Sequence, residues 1–195
     1  MPLKFVFVVG CFLLALTSYF FCVSKKNWFW LTLGLAFTVG ADYFLVIKDW
    51  HLHGVAVFCF VHVCYILRVW DCKHGFGLFK QTRKGILFLV FAVAVITFSV
   101  IFAFANGWLI ILASIYAGLF ITNIALNFCY CKINRPFVLT GLILFALCDI
   151  NVALFNLPRQ FDIGFTFPWA FQLIWIFYLP SQLLLAVSAV RKKGR

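Results

Sequence analysis

The sequence predicts an all-α polytopic membrane protein: a bundle of seven transmembrane helices, or eight if its longest apolar run divides once more. Three observations lead there. Of 195 residues, 66% are hydrophobic and 21% aromatic while only 11% are charged, which is more apolar surface than a soluble domain of this size can hide. The apolar residues fall into runs of about 20, the length that spans roughly 30 Å of hydrocarbon. The basic residues gather at the ends of those runs and in the short connections between them.

The predicted spans lie near 5–23, 28–47, 52–70, 86–105, 108–131, 136–157 and 167–190. The first is too long for a usual signal peptide, and Lys25-Lys26 after it resembles a stop-transfer flank, so it is read as a true span. The second and third are separated by a short polar turn holding Lys48 and Asp49. Before the fourth comes the longest polar stretch, the basic loop from Asp71 to Gly85. Between the fourth and fifth, Asn106-Gly107 alone breaks a very long run, and here the count can change by one helix. The sixth and seventh follow short basic or proline-bearing connections. With no soluble segment, low-complexity tract or internal repeat visible, residues 1–195 read as a single integral membrane domain.

Cytoplasmic loops collect Lys and Arg, so the basic residues orient the bundle. Seven spans place thirteen of the sixteen on one side and leave Lys4, Lys48 and Arg159 opposite. The expected orientation therefore has the N-terminus outside or lumenal and the C-terminus cytosolic. The net charge of +11 would suggest nucleic acid in a soluble protein. At span ends it is better explained by the anionic head groups of the lipid bilayer, and no nucleic-acid partner is expected.

Cysteine and histidine suggest little chemistry of their own. Cys11, Cys59, Cys64 and Cys148 lie inside spans as small apolar fillers, and Cys129-x-Cys131 is too short a motif to argue acylation from. Of the four histidines, His62 alone lies in a span. Three ligands converge nowhere, so neither a metal nor another cofactor is expected.

The informative residues are acidic. The chain has five acidic side chains and no glutamate, and two of them, Asp42 and Asp149, sit inside spans. A carboxyl at that depth is costly unless paired, protonated or facing water, which makes both candidates for a functional site. With a rise of 1.5 Å per residue, Asp42 falls roughly 9 Å and Asp149 roughly 12 Å below the outer ends of their helices, so the two can meet. His62 and Tyr178 come to roughly 15 and 16 Å by the same measure, with Gln182 one turn deeper. Helical spacing groups Gly54, Phe58, His62 and Tyr65 on one face, and Gly141, Phe145 and Asp149 on another. Tyr178 shares a face with Gln182, and Thr38 lies one turn before Asp42. Asn123, Asn127 and Asn151 are also read as interhelical glue beside small residues.

These stretches resemble the YhhN-type membrane proteins that include the lysoplasmalogenases. The run from Gly34 through Phe37, Thr38 and Asp42 to Leu45 is similar to the family's Gly-x-x-Phe-Ser-x-x-Gly-Asp-x-x-Leu region, with the glycine shifted by one. Gly54, Phe58, His62 and Tyr65 follow its next signature, Gly141 to Asp149 its Gly-Ala-x-x-Phe-x-x-Ser-Asp element, and Tyr178 with Gln182 its final span. Ala41 and Cys148 depart from the family's glycine and serine, and both carboxylates remain.

The resemblance implies a membrane-embedded hydrolase that cleaves the vinyl ether of a lysoplasmalogen, a lysophospholipid, to a fatty aldehyde and glycerophosphocholine or glycerophosphoethanolamine. Asp42 and Asp149 are then the catalytic acid and base, with His62, Tyr65, Tyr178, Gln182, Thr38 and Asn151 in supporting or binding roles. Vinyl ethers hydrolyse by protonation at carbon followed by addition of water to an oxocarbenium ion. One protonated and one ionised carboxyl in an apolar site serve that scheme, the division of labour seen in glycosidases. The alternative is a non-catalytic protein that binds or transports a lipid or cation through the same acids, or a structural subunit whose polar groups only join helices. Oligomeric state is left open.

Overall fold

In hydrocarbon a backbone must satisfy its own hydrogen bonds, so apolar runs of this length fold as helices. The computed structural model describes residues 2–71, 107–130, 134–160 and 167–190, and their regular elements are all helices, with no β-strand among the described residues. In chain order they form α1 (Pro2–Thr17), continued by a 3-10 turn (Ser18–Phe21), and α2 (Lys25–Asp42), continued by a π-helical turn (Tyr43–Ile47). Then come α3 (His51–Asp71), α4 (Trp108–Tyr130), α5 (Arg135–Gln160) and α6 (Ala170–Val187). All six are long and apolar enough to cross a membrane, as expected of a multi-pass membrane protein. They coincide with six of the predicted spans, and the predicted span 86–105 lies outside the described residues.

Neighbouring helices follow the order α4, α3, α2, α1, α6, α5, with α5 returning to α4 over a shorter stretch. Small side chains allow the close approaches: Ala15, Ala41, Ala170 and Ala186 are fully buried, as packing without a hydrophobic drive between helices requires. Large apolar side chains point the other way, with Phe20 82% and Trp108 78% exposed. That outward greasy surface suits a lipid solvent and no aqueous one.

One end of the bundle is tied shut by polar groups. The Arg68 guanidinium donates from Nε to Asn27 Oδ1 at 3.1 Å and from Nη2 to the Ser188 carbonyl at 3.4 Å. Asn134 donates its amide to the carbonyls of Ser188 and Val190. Asn134 also takes a left-handed backbone (φ 47°) just before α5, a conformation its short side chain tolerates. The Val23 amide bonds the Ala189 carbonyl at 3.2 Å, which joins the α1–α2 connection to the end of α6. At the other end, where α2 turns into α3 and both α4 and α6 begin, the helices enclose a cavity.

Glycine sets the α2–α3 spacing. A methyl group on Gly34 would lie 2.5 Å from the buried Tyr65 ring, and one on Gly54 would overlap Leu45, whereas one on Gly10 would meet open space. Gly34→Ala is therefore expected to destabilise the detergent-solubilised protein by about 1–3 kcal/mol, the usual range for overpacking. Gly10→Ala is expected to leave the melting temperature unchanged or raise it, and equal melting of the two variants would contradict this packing.

Candidate active site

Asp42 ends the regular part of α2 and is 4% exposed. The π-helical turn that follows it, closed by the Lys48 amide on the Tyr43 carbonyl at 3.1 Å, widens the helix by one residue. Leu45 and Val46, within this turn, both line the cavity. Such single π turns within α-helices are frequent at functional positions. Across the bundle, the Tyr178 phenol of α6 donates to Asp42 Oδ2 at 2.6 Å. This short bond ties α6 to α2 at mid-bundle.

Asp149 has the matching arrangement on the other side. It projects from α5, partly exposed, and the Tyr116 phenol of α4 donates to its Oδ2 at 2.6 Å. Asp42, Asp149 and both tyrosines line a single cavity of about 640 Å³, within the size range of small-molecule sites. The two carboxyls do not bond each other: each is held by a phenol from a different helix. Cys148, buried beside Asp149, lines the same space.

Aromatic rings form the floor. Phe145 packs edge-on to Phe58 at 5.7 Å and lies 5.6 Å from Tyr178, while Phe120 closes on Phe145 at 5.3 Å. The walls above are apolar: Leu45, Val46 and Val55, Leu109 and Ile110, Val152 and Ile174. His51 and Asn156 mark the polar mouth, and His51 is about half exposed. A flexible chain with one polar end matches this surface.

The remaining residues singled out from sequence lie just outside the cavity. His62 is fully buried beneath the floor, stacked on Phe120 at 4.5 Å, with Nδ1 3.2 Å from the Asn123 amide nitrogen. It touches Tyr116 through its ring at 4.9 Å and so supports the site indirectly. Tyr65 is buried in the α2–α3 packing against Gly34. Gln182, one turn below Tyr178, is fully buried, and neither end of its amide has a partner among the described residues. Thr38 bonds back to the Gly34 carbonyl at 3.0 Å, and Asn151 to the Leu147 carbonyl at 2.7 Å. Neither lines the cavity. No three His, Cys, Asp or Glu side chains converge among the described residues.

Sequence reasoning missed Tyr116. Its signal was faint: Tyr116, Phe120, Asn123 and Asn127 share one face of α4, and the two asparagines, linked at 2.7 Å, extend the polar line below His62. Asn123→Ala removes the partner of a buried imidazole and is expected to cost about 1–3 kcal/mol, read as a lower melting temperature. An unchanged melting temperature would mean that the pair carries no weight.

No curated protein and no solved structure matches the chain. A family model does, over residues 3–189, nearly the whole length. It takes in both aspartates, their two tyrosines and all six described helices, and by that match the protein belongs to the YhhN family.

Proposed function

We propose that this protein is a membrane-embedded alkenyl ether hydrolase that cleaves a lysoplasmalogen to a fatty aldehyde and a glycerophospho-alcohol, with Asp42 and Asp149 as the acid and base pair. The observation that carries the reading is the shared cavity: two carboxyls, each held by a phenol, face one apolar space of about 640 Å³. Structural glue would be served by amides or hydroxyls, which cost less to bury than a carboxyl. Membership of the YhhN family supports the same reading.

The cavity suits such a lipid. Its polar mouth at His51 and Asn156 takes the head group, and the apolar walls take the hydrocarbon. The carboxyls lie well below the mouth, where the ether of a lysolipid sits just under its glycerol. His62 and Tyr65 hold the floor and the α2–α3 spacing, Tyr178 fixes Asp42, and Thr38, Asn151 and Gln182 complete the surrounding polar layer. Counting Lys and Arg puts the mouth on the non-cytosolic side.

Purified protein in detergent is expected to release aldehyde from lysoplasmenylcholine. Asp42→Asn and Asp149→Asn keep shape and remove the proton chemistry, so each is expected to lower that rate by about 100-fold or more while melting near the wild-type temperature. Ala117→Trp, which fills the cavity from α4, is expected to raise KM or abolish turnover. Full activity in either Asn variant would defeat the mechanism. Absence of aldehyde from the wild-type protein, together with saturable binding of the same lipid, would leave a lipid-binding protein in place of an enzyme.

A further inference from the structure

We propose that the two acids have different and fixed jobs: Asp42 protonates the alkenyl carbon, and Asp149 takes the proton from the attacking water. The assignment rests on the hydrolase reading above and deepens it. Tyr178 and Tyr116 are then positioning residues, each holding one carboxyl oxygen so that the other faces the substrate.

The argument is one of water access. Between Asp149 and the mouth, the cavity wall carries a polar group on each of the two helices that hold this acid, Ser114 two residues before Tyr116 on α4 and Asn156 two turns above Asp149 on α5, among apolar neighbours such as Ile110 and Val152. Asp149 itself is partly exposed. On the side of Asp42 the wall is formed by Leu45 and Val46 on its own helix and Ile174 on α6, with His51 at the start of α3 as the polar group at the mouth. Asp42 is 4% exposed and its phenol partner likewise. Water thus reaches Asp149 first, and the enclosed carboxyl is the one cheaper to keep neutral until substrate arrives.

The steps balance. The Asp42 carboxyl gives its proton to the outer alkenyl carbon, the π pair becomes the new C–H bond, and an ether-oxygen lone pair stabilises the adjacent cation. The oxygen of a water bonds the cationic, ether-bearing carbon as Asp149 takes the released proton. The hemiacetal then collapses: its hydroxyl proton goes to Asp42, the bond to the glycerol oxygen breaks, and that oxygen receives the proton held by Asp149. One water is consumed and both acids return to their starting states.

Deuterium separates the two jobs. In D2O, an enzyme that protonates carbon yet cannot complete water addition returns the cation to substrate and leaves deuterium on the alkenyl carbon. Asp149→Asn is expected to release aldehyde about 100-fold more slowly than wild type while recovered lysoplasmenylcholine gains deuterium. Asp42→Asn is expected to lose both. The conservative tyrosine variants sharpen the test: Tyr116→Phe is expected to show deuterium in recovered substrate, and Tyr178→Phe slower aldehyde release with none. A residue that merely supported the fold would slow both readouts together. Exchange by Asp42→Asn, or by neither aspartate variant, overturns the assignment. If the wild-type protein releases no aldehyde, the hydrolase reading fails first, and the two failures are told apart by that control.

Discussion

A carboxyl group sunk in hydrocarbon must find a hydrogen-bond donor, and much of this bundle can be understood as meeting that demand twice. Tyr178 reaches across from α6 to Asp42 on α2, and Tyr116 from α4 to Asp149 on α5, both at 2.6 Å. The first contact joins helices far apart in the chain and the second joins consecutive ones. Breaking either would leave a buried polar group unpaired, which costs more than the bond itself returns when made. The pairs therefore fix the relative depth of four helices and, with it, the position of the cavity between them.

The rest of the packing holds those two contacts in register. At the closed end Arg68, Asn27, Asn134 and the carbonyls around Ser188 lock the last turns of the helices together. In the middle, the rings of Phe58, Phe120, Phe145 and the stacked His62 separate the cavity from that polar end. Aromatic edges and faces pack with defined geometry, so the floor resists collapse into the space above it. At the open end the π-helical turn after Asp42 contributes Leu45 and Val46 to the cavity wall.

Much of the site was legible because a charge in a long apolar run stands out against its background. Asp42 and Asp149 could be found from composition alone, and Tyr178 from its spacing to Gln182 on the last span. Tyr116 could not: one more aromatic residue among the many in these spans carries no signal until the register of α4 against α5 is known. For His62 the sequence identified a special residue without its role, since spacing along α3 does not reveal that Asn123 of α4 would take its Nδ1. Thr38 and Asn151 turn back to their own helices, as short polar side chains do when a carbonyl one turn earlier is within reach.

By itself the amino-acid sequence determined that the chain folds as apolar helices, roughly where each begins and ends, and which side chains were too expensive to bury without purpose. Those properties depend on local composition and on the length of hydrocarbon to be crossed. Which helices touch, which phenol serves which carboxyl, and that the two acids share a cavity without bonding each other were decided only in the tertiary structure. The physical reason is that interhelical register depends on side-chain shape at many contacts at once, such as Gly34 against Tyr65, and such complementarity leaves no periodic mark along the chain.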